Sequence, residues 1–282
     1  MKHLITIVLL FASLVSAQTK GSLVIIGGGD RPGYVMHKIM ELAGGKSAKL
    51  VIIPNASGEP IETAEYQMKG LNELGYRNIS YIYGKKEELD KPENLTKLDG
   101  VTGIFFSGGD QSVLTRDLLG TKFLARIKEI YKNGGVISGT SAGAAVMSKI
   151  MLTGDELKNK DSNSAFITIE KGNVDTKEGF GFFENVIVDQ HFIKRKRHNR
   201  LMSLMYENPK LLGIAIDEAT AIIVTGGDRF EVLGESQVMV MNATKAKNIR
   251  TDKHGNFAAE GMVIDLLISG DKYSISKKQR IK

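Results

Sequence analysis

The chain has 282 residues, of which 42% are hydrophobic and 25% are charged, and its formal net charge is +6. This composition excludes a disordered or collagen-like chain and provides enough length for a sizeable core, in one large domain or two small ones. Because cysteine is absent, the chain has no disulfides, no thiolate metal sites and no lipid-modified N-terminal cysteine.

Residues 1–17 are typical of a signal peptide. The basic start at Lys2 precedes an apolar run, Leu4–Val15, and Val15 and Ala17 are the small residues expected before a cleavage site. The run is shorter than the ~18 apolar residues that span a bilayer. We therefore expect a secreted or periplasmic protein that leaves the membrane after signal cleavage, with residues 18–282 as a single domain because no linker interrupts them.

Apolar runs that end in glycine or small polar residues then alternate with amphipathic segments. This alternation predicts an α/β fold with a mostly parallel sheet and helices on both of its faces. The predicted strands of the first half are Ser22–Ile26, Lys49–Pro54, Ile79–Tyr83, Val101–Phe106 and Gly135–Ser138. The predicted helices are Val35–Leu42, Pro60–Leu74, Ser112–Leu119, Lys122–Asn133 and Ala142–Met151.

The pattern weakens after Thr153 into a polar stretch, Asp155–Ser164, and a predicted hairpin, Ala165–Glu170. Regular structure resumes with a strand at Val186–Val188 and a basic helix at Lys194–Glu207. The remaining chain predicts a β-rich C-terminal region, with strand signal at Gly213–Asp217, Ala221–Val224, Phe230–Met241 and Met262–Ile275.

A glycine-serine turn, Gly139-Thr140-Ser141-Ala142-Gly143, lies between a predicted strand and a predicted helix. Small residues in such a sharp turn lift the serine hydroxyl above the edge of the sheet, which favours Ser141 as a nucleophile. The alternative is a turn that only packs a helix against a sheet. The predicted oxyanion donors are the backbone amides of Ala142, at the helix start, and Gly109, in the loop after a neighbouring strand.

A serine nucleophile needs a base, and the chain has five histidines. His191 follows the predicted strand Val186–Val188, and strand ends are where ligands collect in α/β sheets, so we predict it as the general base. Asp217 and Glu218 end another strand and face opposite ways, so only one of them can orient the imidazole. The residues alone leave this choice open, with Asp189 as a weaker third alternative.

The basic run Lys194–Arg200 opens the predicted basic helix. Arg197 and Arg200 share a helix face, whereas Arg195 lies about 200° from Arg197 on an ideal helix. A pocket that uses all three therefore requires a non-helical start or must wrap around the helix end. Guanidinium groups beside a serine nucleophile favour substrate carboxylates. The alternatives are a solvated face and a nucleic-acid surface, and the absence of interleaved aromatics argues against the latter.

The run Gly27-Gly28-Gly29 does not predict a dinucleotide site. Pro32 occupies the third glycine position of that motif, and the strand Lys49–Pro54 ends without an acid for a ribose. No spacing of histidines or carboxylates indicates a catalytic metal. We therefore predict neither a cofactor nor a metal.

Four segments in order, Phe105–Gln111, Gly139–Ala144, Asp189–Phe192 and Asp217–Glu218, resemble the serine peptidase family of cyanophycinase and peptidase E. The likeness runs from about Gly27 to Thr225 and implies a class I glutamine amidotransferase-like (flavodoxin-like) fold in which serine replaces the cysteine nucleophile. The order Ser, His, acid differs from that of α/β-hydrolases. The resemblance implies Glu218 as the orienting acid and a structural role for Asp217.

The same resemblance implies a substrate pocket and, by analogy, a homodimer. The pocket residues that it implies are Gln111, Asp189, Gln190, Arg195, Arg197 and Arg200. We therefore expect a catalytic peptidase domain that hydrolyses cyanophycin (multi-L-arginyl-poly-L-aspartate) or related β-aspartyl peptides to β-Asp-Arg dipeptides through an acyl-enzyme. The alternatives are an aspartyl dipeptidase for ordinary acidic peptides and a non-catalytic exported module that binds acidic polymers.

Overall fold

The computed structural model describes residues 21–158 and 166–282. The helices are α1 (Gly33–Leu42), α2 (Pro60–Glu73), α3 (Lys86–Leu89), α4 (Pro92–Thr96), α5 (Gln111–Leu118), α6 (Lys122–Lys132), α7 (Ala142–Ala145) and α8 (His198–Glu207). The first nine strands are β1 (Ser22–Ile26), β2 (Leu50–Ile53), β3 (Ile79–Tyr81), β4 (Gly103–Phe106), β5 (Val136–Thr140), β6 (Ile150–Glu156), β7 (Val174–Glu178), β8 (Val186–Gln190) and β9 (Leu212–Ile216). The other eight are β10 (Thr220–Thr225), β11 (Arg229–Gly234), β12 (Val238–Asn242), β13 (Lys247–Thr251), β14 (Phe257–Glu260), β15 (Val263–Leu267), β16 (Lys272–Ser274) and β17 (Gln279–Ile281).

The main sheet has nine strands in the order β17-β16-β11-β10-β1-β5-β4-β2-β3. The five strands from β1 to β3 in this order are parallel, and β10, β11, β16 and β17 extend the sheet with antiparallel pairs. The strands β1, β2, β4 and β5 are almost wholly buried, because helices cover both faces of a parallel sheet. The predicted α/β class with a β-rich C-terminal region is thereby confirmed.

Two hydrophobic clusters lie on the two faces of this sheet. Alternate residues of β1 belong to different clusters, Leu23 and Ile25 to one and Val24 and Ile26 to the other. This alternation follows from the two-residue period of a strand. Apolar residues on both faces explain why these strands read as continuous apolar runs.

A second sheet has four strands in the order β15-β12-β9-β8 and contains a parallel pair, β8 and β9. The strand β9 belongs to this sheet, whereas β10, which follows after three intervening residues, belongs to the main sheet. The segment Asp217–Ala219 therefore connects the two sheets. His191 directly follows β8, which is an outer strand of the second sheet.

The predicted helix Ala142–Met151 is wrong in length, because α7 ends at Ala145 and Ile150 starts β6. The segment 179–183 accounts for the early end. Its amides donate to the carbonyls of Val146, Met147 and Lys149, which a longer helix would need for its own hydrogen bonds. The small and apolar composition of this run suits a buried turn as well as a buried helix.

Two other predictions need correction. Residues 166–170 form no strand pair with one another, and their only ladder contact among the described residues is a bridge from Glu170 to Asn256, so the hairpin is wrong in its described part. The basic helix begins at His198 and not at Lys194, because residues 192–197 form turns. The signal peptide, residues 1–17, lies outside the described residues. Among those described, none of the helices is long and apolar enough to cross a membrane.

Candidate active site

Ser141 lies in a strained turn between β5 and α7. Its φ of 54° and ψ of −109° are unusual for a residue with a side chain. The glycines beside it allow the turn: a Cβ on Gly139 would lie 2.4 Å from the carbonyl oxygen of Gly143, and a Cβ on Gly143 would lie 2.2 Å from that of Phe106. This packing fixes the serine hydroxyl at the carboxyl edge of the parallel strands.

Two hydrogen bonds connect Ser141 with the predicted base and acid. His191 Nε2 lies 2.9 Å from Ser141 Oγ, and His191 Nδ1 lies 2.6 Å from Glu218 Oε1. The backbone amide of His191 donates to the carbonyl of Gly27 at 2.7 Å, which ties the strand end of the second sheet to β1 of the main sheet. The structure thus brings Ser141, His191 and Glu218 together in the order that a nucleophile, a base and an orienting acid require.

Burial lowers the pKa of His191 below its ordinary value. The hydrogen bond with Glu218 acts in the opposite direction, while the nearby guanidinium of Arg195 lowers the pKa further. Because burial dominates, the imidazole is neutral at pH 7, which is the form that can accept a proton from Ser141.

Three backbone amides near Ser141 donate to no other group among the described residues. They belong to Ala142, Gly108 and Gly109. Gly108 lies closest to the nucleophile, since a Cβ on it would be 3.3 Å from Ser141 Cβ, whereas Gly109 packs against the carbonyl of Ala56. The amides predicted as oxyanion donors, those of Ala142 and Gly109, thus have no protein acceptor within the described residues, and Gly108 offers an additional donor that the motif did not indicate.

The glycines after β1 give His191 and Glu218 the space that they occupy. A Cβ on Gly28 would lie 2.3 Å from His191 Nε2, and a Cβ on Gly29 would lie 2.8 Å from Glu218 Cβ. In the sequence, these glycines resemble only part of a dinucleotide motif. Their observed role is close packing against the base and the acid.

Residues 192–197 form a turn, here called the basic turn, that places Arg195 and Arg197 beside the base. The side chain of Arg195 is exposed. Arg197 is half-buried, and its Nη1 donates at 2.8 Å to both the carbonyl and the Oε1 of Gln190. Burial, with a contribution from the neighbouring charge of Arg200, lowers the pKa of Arg197 to about 10. The guanidinium of Arg197 thus stays charged at pH 7.

Asp217 fixes the basic turn. Its Oδ1 accepts from the amides of Ile193 at 3.0 Å and Lys194 at 2.9 Å, and its Oδ2 accepts from the hydroxyl of Ser236. The two neighbouring acids therefore face different partners: Glu218 contacts His191, and Asp217 contacts the turn.

Besides Arg197 and Gln190, three more of the predicted substrate-binding side chains are engaged within the protein. Asp189 and Arg200 are both buried and form a two-pronged ion pair, with Arg200 Nε 2.8 Å from Asp189 Oδ2. Gln111 donates to the carbonyls of Leu152, at 2.9 Å, and Thr153. Their role in substrate binding stays a prediction, and in this structure their polar atoms hold other parts of the chain.

Comparison with known proteins agrees with this geometry. The sequence profile of peptidase family S51 matches residues 23–232. The chain belongs to peptidase family S51. It is a serine peptidase, and the resemblance found from its motifs is confirmed.

Relatives of this S51 peptidase include cyanophycinases. That of Geminocystis herdmanii is 32% identical over 269 residues, which cover 90% of this chain and 94% of the relative. That of Thermosynechococcus vestitus is 29% identical over 268 residues, covering 92% and 81%.

Solved structures show the same fold. A peptidase from an acI-B1 actinobacterium superposes with a TM-score of 0.66 at 25% identity and covers 92% of this chain and 98% of its own. A Listeria monocytogenes protein assigned to peptidase E gives a TM-score of 0.50 at 17% identity over 77% of this chain and 99% of its own, and it supports the fold alone.

Proposed function

We propose that this S51 peptidase is a secreted exopeptidase that hydrolyses cyanophycin or related β-aspartyl peptides to β-Asp-Arg dipeptides. The observation that carries the proposal is the hydrogen-bonded chain from Ser141 through His191 to Glu218, with the exposed guanidinium of Arg195 beside it. A cationic group next to the nucleophile suits a substrate whose units bear carboxylates. The relatives named cyanophycinase support the same substrate class.

In the proposed first half-reaction, Ser141 Oγ forms a bond with the scissile carbonyl carbon while its proton moves to His191 Nε2. Glu218 accepts the Nδ1 proton of the imidazole in a hydrogen bond and stabilises the imidazolium that forms. The carbonyl oxygen becomes an oxyanion beside the amides of Ala142 and the Gly108–Gly109 loop. The imidazolium then donates its Nε2 proton to the leaving amine as the C–N bond breaks, which leaves an acyl-enzyme.

In the second half-reaction, water attacks the ester carbon of the acyl-enzyme and gives a proton to His191 Nε2. The ester bond to Ser141 Oγ breaks, and the imidazolium returns a proton to the serine. The free serine and a substrate carboxylate result, so the cycle consumes one water per bond cleaved.

The proposal is tested by incubating cyanophycin with the wild-type protein and with Ser141→Ala, followed by mass spectrometry of the products. We expect β-Asp-Arg from the wild type and at least ~10³-fold less from the variant, the loss typical of removing a serine nucleophile. Equal release by the two proteins would eliminate the mechanism. Cleavage by the wild type of peptides with unsubstituted aspartates, but not of cyanophycin, would identify a dipeptidase for ordinary acidic peptides.

Secretion is tested separately with the full-length chain in a bacterial host that has a general export pathway. We expect the protein outside the cytoplasm with Gln18 as its first residue, because residues 1–17 have the charge, apolar run and small residues of a signal peptide. N-terminal sequencing of the exported fraction identifies its first residue. A cytoplasmic protein that still carries Met1 would overturn the proposal of secretion.

A further inference from the structure

A cleft of about 490 Å³ lies between the loop that follows β1 and the side of α2. Its lining residues include Gly29, Asp30 and Arg31 on the loop side and Tyr66, Gln67 and Lys69 on the helix side. No residue of the basic turn lines this cleft. It is therefore a space distinct from the one beside Arg195.

The cleft adjoins the reactive groups at both of its walls. Gly29 packs against Glu218, since a Cβ on this glycine would lie 3.0 Å from Glu218 Oε2. Gln67 Oε1 accepts a hydrogen bond of 2.8 Å from the hydroxyl of Ser107, which precedes the glycine loop next to Ser141. Both walls of the cleft therefore include a residue that contacts either the acid Glu218 or the strand end before the Gly108–Gly109 loop.

The guanidinium of Arg31, which lines this cleft, has donors available for a ligand. Its side chain is half-buried, and it makes no hydrogen bond or ion pair with any residue in the described ranges 21–158 and 166–282. Burial lowers its pKa, more than the nearby Tyr66 and Asp30 raise it. A guanidinium carries five donors in a planar fork, and partly removing it from water without an acceptor is unfavourable. A ligand carboxylate would supply the missing acceptors in a bidentate geometry.

We propose that this cleft is a second substrate subsite, in which Arg31 binds a carboxylate of the unit adjacent to the one held beside Arg195. This inference rests on the proposed function. An arginyl arm of a poly-aspartate chain carries both a carboxylate and a guanidinium. Arg31 binds the first, while Asp30 and Glu73 provide negative charge for the second and the exposed ring of Tyr66 provides a face on which it can stack.

The test compares Arg31→Gln with wild type on two substrates, a trimer of β-Asp-Arg and a single-unit aspartyl α-anilide. In both substrates the scissile bond is an α-amide of aspartate. The trimer reaches both subsites, whereas the anilide has no arginyl arm. We expect kcat/KM for the trimer to fall ~10- to 100-fold, the effect of losing a charge-assisted hydrogen bond, and kcat/KM for the anilide to stay within about twofold. Arg31→Lys keeps the charge without the fork and should lie between the two. Arg126→Gln, which removes an exposed guanidinium of α6 paired with Asp99 and Glu129, is the matched control.

A trimer whose arginine carboxylates are converted to amides completes the design. It should be cleaved at the same reduced rate by wild type and by Arg31→Gln, because the group that Arg31 binds is already gone. An equal loss on trimer and anilide, or no loss on either, would overturn the subsite while leaving the proposed function intact. If the wild type releases no dipeptide from the trimer, the proposed function fails, and the subsite fails with it.

Discussion

Three neighbouring residues of the active site have backbone conformations that are costly for any residue with a side chain. Ser141 has a φ of 54°, His191 a φ of 47° and Ala219, next to Glu218, a φ of 53°. Each costs about 1–2 kcal/mol relative to ordinary backbone. The hydrogen bonds that hold them, from Ser141 to Ile26, from His191 to Gly27 and from Ala219 to Gly28, all end on β1 and the turn after it. This turn therefore positions the nucleophile, the base and the acid together.

Gly28→Ala should inactivate the enzyme without unfolding it. The added Cβ would lie 2.3 Å from His191 Cε1 and Nε2, so the imidazole must move away from Ser141. We expect kcat/KM to fall at least ~100-fold, since displacing a reactive group by about 1 Å has an effect of this size. Gly45→Ala is the matched control, because Gly45 also has a positive φ but a Cβ there meets nothing within 4 Å. Both variants should lose about 1 kcal/mol of stability. Retained activity in Gly28→Ala would contradict the assigned position of His191.

The pH dependence of kcat/KM should report the lowered pKa of His191. The neutral imidazole is the active form, so activity is full at pH 7 and falls as the pH drops through the pKa, below the ordinary value of 6.5. Arg195→Gln removes a positive charge that lowers this pKa, so the acid limb should move to higher pH. The shift is tested by pH profiles of kcat/KM measured on the aspartyl α-anilide. Arg126→Gln is the control and should leave the acid limb in place. A limb that moves to lower pH in Arg195→Gln would show that another group controls the profile.

At the scale of elements, the serine turn was predictable and the structure after it was not. A glycine-serine-glycine run between a buried strand and small residues is compatible with few structures other than a sharp turn that exposes the serine. The end of α7 at Ala145 depends on the amides of residues 179–183, which take the carbonyls of Val146, Met147 and Lys149. Contacts between residues thirty or more positions apart leave no local pattern in the sequence.

The basic turn illustrates the opposite case. The angle between Arg195 and Arg197 on an ideal helix required either a non-helical start or a pocket that wraps around the helix end, if one pocket uses both. The structure shows the first alternative, with α8 beginning at His198 in place of the predicted Lys194. The spacing of the arginines does not predict that Asp217 accepts the hydrogen bonds that fix the turn, because Asp217 lies more than twenty positions after Ile193 and Lys194.

Asp217→Ala should loosen the basic turn. It removes the acceptor of two backbone amides and one hydroxyl, so we expect a loss of about 1–3 kcal/mol in the free energy of unfolding and a higher KM for the β-Asp-Arg trimer. Ser236→Ala removes only the hydroxyl and should cost about 1 kcal/mol or less with an unchanged KM. Urea denaturation and steady-state kinetics measure the two effects. Equal effects of the two substitutions would mean that the carboxylate does not fix the turn.

At the scale of the molecule, the strands were predictable because both faces of the main sheet are buried and leave continuous apolar runs. Their division into two sheets was not, since β8 and β9 have the same apolar character as β1 and β5. The division determines the site, because Ser141 follows a strand of the main sheet and His191 follows a strand of the second. Glu218 lies on the segment that connects the sheets.

The ion pair between the buried Asp189 and Arg200 also could not be predicted from the sequence and is seen only in the folded chain. Asp189 ends β8 and Arg200 lies in the first turn of α8, so the pair joins a strand of the second sheet to the helix beyond the basic turn. Sequence alone predicts both as substrate contacts by resemblance. Stability and binding measurements separate the two roles.

Asp189→Asn should lower the free energy of unfolding by about 3–5 kcal/mol, because it leaves the buried guanidinium of Arg200 without its counter-charge. Asp189→Leu combined with Arg200→Met removes both charges and should recover most of this loss. Urea unfolding followed by far-UV circular dichroism gives the free energies, and Arg126→Ala, in an exposed ion pair, should change them by less than about 1 kcal/mol. If the recovered double variant also cleaves the β-Asp-Arg trimer with the wild-type KM, the pair shapes the site without contacting substrate. A single substitution that costs less than about 1 kcal/mol but raises KM tenfold would instead establish Asp189 as a substrate contact.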